Sequence, residues 1–392
     1  MSVLRPTTAD EVMEALAEAG RDNAPLTIVG GGTRAGLGRP VATPTTLALD
    51  GLSGITLYEP AELVMGARAG TPLATIEATL AERRQILAFE PMRHGALYGL
   101  GGEGSIGGVF AAGAAGPRRV VAGAARDHLL GVTLVTGRAR TVRSGGRVMK
   151  NVTGLDLVRL NTGAMGTLGV LTEVIFKVLP APETTATLVY RGRDAAAAVA
   201  LMSAAMGSPY EVSGAAHLPA AGGAPSRTLL RLEGFETAVR GRTGALAERL
   251  AAGAPETLAG AAAATLWQAV RDVAALGAAP DDEIWRVGLS PSRAPELVAS
   301  LAAIEGLSVL LDWAGALVWL AAPERAALER HLRPRAAALG GHTTLVRASV
   351  ARRRAIAVYE PLEAPLAALT AGIKQSFDPE GLCNPGRMYE GV

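Results

Sequence analysis

Cysteine is almost absent from this sequence, since Cys383 is the only one in 392 residues. A single cysteine cannot form an internal disulfide bond. Iron–sulfur clusters usually need four thiolates, so this chain cannot hold such a cluster alone. A reducing, cytoplasmic location is therefore the expected one.

Long apolar runs and an excess of one charge are also absent. No uninterrupted apolar run reaches the roughly 18 residues that a membrane span needs, and acidic Asp10 and Glu11 lie where a signal peptide would be apolar. We therefore expect any membrane contact to be peripheral and to go through partners. The net charge is only +2, and the one compact basic run is Arg352–Arg354, so nucleic-acid binding is not expected.

Glycine, in contrast, is abundant, and its first cluster follows the β-branched stretch Leu26–Val29. Gly30, Gly31, Gly32, Thr33 and Arg34, with the next alanine, formally fit the G-x-G-x-x-A dinucleotide fingerprint. That motif needs a helix directly after the loop, and the glycines and prolines that follow here leave no room for one. Consecutive glycines can instead turn their amide groups towards a diphosphate, although an ordinary tight turn is the alternative.

Two further glycine clusters follow along the chain. The second consists of Gly104, Ser105, Ile106, Gly107 and Gly108, with Gly113 soon after, and its composition suits a helix start that lies against a flat or anionic ligand. The third runs over 163–170 and leads into Glu173. Each cluster alone is weak evidence for a ligand site, but their order and spacing together are stronger evidence.

The chain divides near Pro180 and Pro182. Residues 1–181 combine short strands, helices and the glycine clusters. Residues 182–354 contain two successive β-α-β-β-α passes, which predict two ferredoxin-like units that share an antiparallel sheet. Residues 355–392 contain a helix and a turn-rich run, and we expect them to pack back on the first domain. The predicted fold class is α+β.

With these features assembled, the chain resembles the flavoprotein superfamily of vanillyl-alcohol oxidase and p-cresol methylhydroxylase. Nine segments carry the resemblance: Gly30–Arg34, Gly66–Gly70, Phe89–Pro91, Gly104–Gly108, Arg126–Asp127, Lys150–Asp156, Gly166–Glu173, Asp378–Pro379 and Asn384–Gly386. Within the superfamily it is most similar to the E-type FAD-binding subunits of bacterial glycolate oxidases, particularly over Gly116–Arg119, Gly123–Asp127 and Val148–Asn151.

This resemblance implies a two-part FAD-binding domain of the p-cresol methylhydroxylase type, followed by a cap domain. Gly30–Arg34 would hold the FAD pyrophosphate, 105–108 would lie along the isoalloxazine and diphosphate, and Asp127, Gly169, Val170 and Glu173 would lie near the ribityl and adenine part. Pro91, Gly104 and Gly113 are also expected at the cofactor. The only histidines in this domain are His94 and His128, and neither lies in the first glycine loop, so we expect FAD to be bound non-covalently.

The same resemblance implies the oxidation of glycolate, or of another small 2-hydroxy acid, in a heteromeric complex. Such a reaction needs a cation for the carboxylate and a group that takes the hydroxyl proton. Arg286 and Arg347 on predicted strands of the second domain, and His342 at the start of one, are the candidate catalytic residues. Ion-paired sheet arginines and a capping histidine are the alternative interpretation.

The resemblance also implies that electrons leave the chain for partner subunits, and the expected partners are a homologous FAD subunit and an iron–sulfur subunit. One departure from the wider family is that no H-x-G-D-G-N motif is present, since His217, His331 and His342 stand alone, and no metal site is expected. A non-catalytic FAD-containing assembly or electron-relay subunit is therefore the alternative function. A module that uses the glycine loops for another ligand, such as a nucleotide sugar, is a third.

Overall fold

The structure is a computed structural model that describes residues 2–148 and 154–392. The chain falls into two units. The first unit contains Met1–Ala115, Gly123–Ala181 and Val350–Val392, and the second contains Gly116–Ala122 and Pro182–Ser349.

The helices and strands up to residue 180 are, in chain order, β1 (Ser2–Leu4), α1 (Ala9–Arg21), β2 (Leu26–Val29), β3 (Thr45–Ala48), β4 (Ile55–Glu59), β5 (Val64–Arg68), α2 (Leu73–Ala81), β6 (Gln85–Ile86), α3 (His94–Leu97), α4 (Ile106–Ala112), α5 (Arg119–Ala122), α6 (Ala125–His128), β7 (Leu129–Val135), β8 (Thr141–Gly145), α7 (Leu157–Asn161), β9 (Val170–Lys177) and β10 (Leu179–Pro180). Those that follow are β11 (Thr184–Arg191), α8 (Ala195–Met206), β12 (Val212–Leu218), β13 (Arg227–Gly234), α9 (Glu236–Leu250), β14 (Glu256–Ala259), α10 (Gly260–Arg271), β15 (Asp282–Gly288), α11 (Ala294–Ser300), β16 (Ser308–Asp312), β17 (Leu317–Pro323), α12 (Leu328–Ala338), β18 (His342–Arg347), α13 (Val350–Ala355) and α14 (Ala364–Phe377). No helix of the described residues is long and apolar enough to cross a membrane.

The first unit contains two main sheets. A parallel sheet has the strand order β1-β3-β2, and an antiparallel sheet has the order β4-β5-β9-β7-β8. Thr8 caps helix α1, because its hydroxyl accepts a hydrogen bond from the Glu11 amide. Its apolar face, Val12 and Leu16, is fully buried in a core that also contains Leu382 of the last segment.

The last segment of the chain extends the parallel sheet. The Leu26 amide donates to the Leu382 carbonyl at 2.8 Å, and the Asn384 amide donates to the Leu26 carbonyl at 3.1 Å. Residues 382–384 therefore run beside the start of β2, the strand that leads into the first glycine loop.

The second unit is built on one antiparallel sheet of eight strands in the order β14-β11-β13-β12-β16-β17-β15-β18. Each half of this order is that of a β-α-β-β-α-β ferredoxin-like unit, and the two halves meet where His217 of β12 pairs with Leu311 of β16. The predicted shared sheet is confirmed. The prediction missed strand β14, which closes the first half before α10 begins.

Candidate functional site: the glycine cleft

The three glycine clusters meet at one open cavity of the first unit, which we call the glycine cleft. Its empty volume, open solvent included, is about 700 Å³. Its lining is largely apolar or glycine and comes from the end of β2, the loop after it, α4, the loop before β9 and the last segment. The lining residues are Ile28, Val29, Gly30, Gly31, Gly32, Thr33, Arg34, Ala35, Leu49, Ala69, Ser105, Gly107, Gly108, Ala111, Ala112, Met165, Gly166, Gly169, Leu171, Asn384 and Arg387.

The first loop requires glycine at Gly31 and favours it at Gly32, for two different reasons. A Cβ atom at Gly31 would lie 1.9 Å from the carbonyl oxygen of Glu103, so the backbone of this loop touches the backbone of 103–104. Gly32 has a φ of +72° and nothing within 4 Å of its would-be Cβ, so that position opens into free space. The loop therefore presents bare main chain to the cleft.

Helix α4 forms another side of the cleft, and its first turn packs closely against Ala69, the residue that follows β5. Ser105 caps it by accepting a hydrogen bond from the Gly108 amide at 3.3 Å. The Gly107 amide donates to the Ala69 carbonyl at 2.8 Å, and a Cβ at Gly107 would lie 2.6 Å from the Ala69 Cβ. Close packing therefore holds this helix in place in spite of its two glycines.

Asn384 joins the third glycine cluster to the first. Its amide Nδ2 donates to the Met165 carbonyl at 2.8 Å, and its Oδ1 accepts a hydrogen bond from the Ile28 amide at 2.8 Å. A Cβ at Gly166 would lie 2.8 Å from Nδ2, so glycine is needed there as well. One buried amide side chain thus fixes β2 against the loop before β9.

The cleft carries positive charge from Arg34 and Arg387, which are 9% and 8% exposed. The Arg34 Nη1 lies 3.2 Å from the position that a Gly104 Cβ would occupy and 3.3 Å from that of Gly108. Its guanidinium therefore lies over the start of α4. Burial lowers the pKa of Arg34 to about 10, so the group remains charged at neutral pH but lacks water around it.

Nine of the residues expected at the cofactor line the cleft together: Gly30, Gly31, Gly32, Thr33, Arg34, Ser105, Gly107, Gly108 and Gly169. The others lie outside its lining. Ile106 and Val170 are fully buried in the core, and Pro91 is buried. Gly104 accepts a hydrogen bond from the Leu73 amide, and Gly113 ends α4 with a φ of +62°.

The two acidic residues expected near the ribityl and adenine part have partners of their own. The Asp127 carboxylate accepts a hydrogen bond from the Ala124 amide at 2.8 Å. The Glu173 carboxylate accepts one from the Thr56 hydroxyl at 2.6 Å. Their role at the cofactor remains a prediction.

The sequence motifs did not single out Arg387 or Met165. Arg387 directly follows Asn384-Pro385-Gly386, a stretch that contributes to the family resemblance. Its position after that turn was the one available signal. Met165 lies inside the third glycine cluster without chemistry of its own to mark it.

A family model described as an FAD binding domain matches residues 2–145. Glycolate oxidase subunit GlcE of Escherichia coli (strain K12) is 38% identical over 378 residues, which cover 96% of each chain. Glycolate oxidase subunit GlcD of Bacillus subtilis (strain 168) is 42% identical over 95 residues, or 24% of this chain and 20% of that one. The chain belongs to the glycolate oxidase subunit GlcE family.

Among solved structures, p-cresol methylhydroxylase with substrate bound superposes with a TM-score of 0.70 at 14% identity, covering 98% of this chain and 88% of that one. The resemblance, the α+β fold class and FAD as the cofactor are thereby confirmed. The part of the resemblance that lies on residues 149–153 falls outside the described residues.

The residues that line the cleft of this GlcE-family chain are suited to binding FAD. Gly31 and Gly107 leave no space for a side chain, Gly32 opens its main chain into the cleft, and Ile28 and Leu171 add apolar wall. The Nε atom of buried Arg34 has no hydrogen-bond partner in the described part of the chain. An unpaired buried cation beside bare backbone amides is the environment that a diphosphate requires.

The two histidines and the cysteine of the first unit lie outside the lining of the cleft. His94 Nδ1 lies 3.2 Å from the Met92 carbonyl, and His128 Nδ1 lies 3.3 Å from the Lys177 carbonyl. Cys383 is fully buried, and burial raises the pKa of its thiol. None of the three side chains lines the cleft.

The three candidate catalytic residues lie on β15 and β18 of the second unit. Arg286 and His342 share a sheet face, because Arg286 pairs with Thr344 and Gly288 pairs with His342 on adjacent strands. Arg347 differs from them, since its guanidinium donates to the main-chain carbonyls of Asp282 and Ala279. Arg347 is therefore bound to the start of its own sheet, and its catalytic role remains a prediction.

Proposed function

We propose that this chain holds FAD non-covalently in the glycine cleft and takes part in the oxidation of glycolate to glyoxylate within a multi-subunit complex. Bound FAD would supply a hydride acceptor for the oxidation. Gly30–Gly32 would bind the diphosphate, Arg34 would balance its charge, and the wall of Ile28 and Leu171 would exclude water. The observation that carries the proposal is that all three glycine clusters line one cleft together with a buried, incompletely bonded arginine.

Arg286 and His342 are proposed to bind and deprotonate the substrate. An arginine provides two parallel donors for a carboxylate, and a neutral imidazole can take the proton of the hydroxyl group. Their common sheet face supports this assignment. Arg347 is the weaker candidate because main-chain carbonyls already occupy its donors.

The proposed partners are a GlcD-type FAD subunit and an iron–sulfur subunit, which would receive the electrons. Family membership supports the multi-subunit assembly, and the single cysteine of this chain means that a cluster must belong to another subunit. We propose that the complex works in the cytoplasm or on the inner membrane through a partner.

A non-catalytic assembly or electron-relay subunit is the second candidate function. The sequence favours it in one respect, because no H-x-G-D-G-N motif is present. In this case the cleft would hold FAD without turnover of substrate by this chain.

Anaerobic titration of the purified chain with glycolate distinguishes the two functions. A substrate-oxidising subunit loses its visible flavin absorption when glycolate is added, and the same protein with Arg286→Met retains the colour. If the wild-type flavin stays oxidised with glycolate and is reduced only when the partner subunits are added, the relay function is correct and the catalytic assignment is wrong.

A further inference from the structure

Three buried arginines lie close together at the glycine cleft. Arg34 follows the first glycine loop, Arg353 lies in α13, and Arg387 lies near the end of the chain, with exposed fractions of 9%, 7% and 8%. We call them the arginine triad. No carboxylate of residues 2–148 or 154–392 forms an ion pair with any of the three, and the Nε atom of each lacks a hydrogen-bond partner there.

Such a cluster is unfavourable without an anion. A buried guanidinium loses its hydration, and the loss is compensated only when an opposite charge and further hydrogen bonds replace the water. Burial lowers the pKa of all three arginine guanidinium groups. The phenol of Tyr98 lies near all three guanidinium groups. It does not supply a negative charge to balance them, because burial raises the pKa of this phenol.

The triad also clamps the stretch that follows the first glycine loop. The Arg387 Nη2 donates to the Arg34 carbonyl at 2.8 Å, and the Arg353 Nη1 donates to the Gly38 carbonyl at 2.9 Å. The side of the Tyr98 ring lies against Gly36, where a Cβ would come within 2.3 Å of it. Two arginines of the segment Val350–Val392 therefore hold the loop whose glycines line the cleft.

We propose that Arg387, with Arg34, binds the diphosphate of FAD, and that Arg353 positions this pair, so that the last segment of the chain is part of the cofactor site. The inference rests on the proposed placement of FAD in the glycine cleft. Arg34 and Arg387 both line that cleft, and their two positive charges match the two negative charges of a diphosphate.

FAD binding and the docking of the segment Val350–Val392 are expected to be coupled. The diphosphate stabilises the arginine triad, and the triad joins that segment to the stretch after the first glycine loop, so each process strengthens the other. The adenosine diphosphate part of FAD is sufficient for this coupling, since the flavin ring does not carry the charges involved.

The test uses the flavin-free full chain and two probes, FAD and ADP, with affinity measured by calorimetry at two salt concentrations. Arg387→Met should weaken the binding of both probes on the order of 10- to 100-fold and reduce the salt dependence of binding, because a charge-assisted bond to phosphate is lost. Arg387→Lys should recover part of the affinity. Arg353→Met should have a smaller effect, and the control Arg354→Met, at the exposed neighbouring position of α13, should have none.

Wild-type affinity and salt dependence in Arg387→Met would overturn the inference. If Arg387→Met does not fold, hydrogen exchange of the wild type decides instead: protection of 380–392 on addition of ADP supports the inference, and unchanged exchange overturns it. A wild-type chain that binds neither FAD nor ADP would instead show that the proposed function is wrong.

Discussion

Gly31 and Gly107 show why single residues of the cleft could be predicted from the sequence. A Cβ at either position would lie 1.9 Å or 2.6 Å from its nearest neighbour, so each must be glycine for the backbones to approach. This requirement is local, so it can be recognised in the sequence as clustered glycine. The role of Arg387 cannot be recognised in that way, because the position of its side chain depends on a contact with Arg34, which is 353 residues away.

Because His217 is buried, we expect the free energy of unfolding to depend on pH. It is almost fully buried on β12, its Nδ1 lies 3.0 Å from the Thr228 hydroxyl, and burial lowers its pKa from 6.5 to about 4 although Asp194 opposes the shift. Between pH 6.5 and 4 the unfolded chain therefore binds a proton that the folded chain does not. The free energy of unfolding should fall by about 3 kcal/mol as the pH drops through this window.

Urea unfolding at a series of pH values measures this effect. His217→Asn, which keeps a hydrogen-bond donor or acceptor for Thr228 but does not titrate, should show a slope shallower by one proton between pH 6.5 and 4. An equal slope in the variant and the wild type would contradict the assignment.

At the scale of elements, the sequence indicated those helices and strands whose pattern is local. Helix α1 follows from its cap and its apolar face, and strand β2 spans the predicted residues 26–29. The sequence did not predict the bounds of helix α4, because two glycines in seven residues disfavour a helix by intrinsic propensity. The helix forms because its close packing against the end of β5 outweighs that preference. Strand β14 was missed because it has four residues, none of them buried, beside an alanine-rich helix.

One buried ion pair, between Lys374 of helix α14 and Asp378, is expected to contribute strongly to the stability of the fold. The Lys374 ammonium donates to the Asp378 carboxylate at 2.6 Å and to the Thr167 and Cys383 carbonyls, and both charged side chains are almost fully buried. Lys374→Met would leave the carboxylate buried without its partner, so the free energy of unfolding should fall by about 3–5 kcal/mol.

Chemical denaturation of Lys374→Met, Asp378→Asn and the double variant gives the coupling between the two residues. The double variant should lose less than the sum of the single losses, because neither side chain is then left as an unpaired charge. Gln375→Met, at an exposed position of the same helix, serves as the control and should change little. Additive losses would show that the pair does not act as a unit.

At the scale of the whole molecule, the sequence predicted an FAD-binding part and a part of two ferredoxin-like units, and family and fold are confirmed. It did not predict that Gly116–Ala122, inside the first part of the chain, would belong to the second unit. That segment is held there by contacts distant in sequence. The Arg118 guanidinium pairs with Glu233, and the Trp313 indole donates to the Gly116 carbonyl at 3.0 Å.

The central claim is that bare main chain at the glycine loop binds the diphosphate of FAD, and flavin content in two variants of Gly32 tests it most directly. Gly32 has a positive φ and open space before it, so aspartate and asparagine both fit there with similar strain and size and differ mainly in charge. The wild-type chain should purify with one FAD, Gly32→Asn should retain most of it, and Gly32→Asp should be colourless although folded. Full FAD in Gly32→Asp, or a folded wild-type chain that takes up no FAD, would contradict the account.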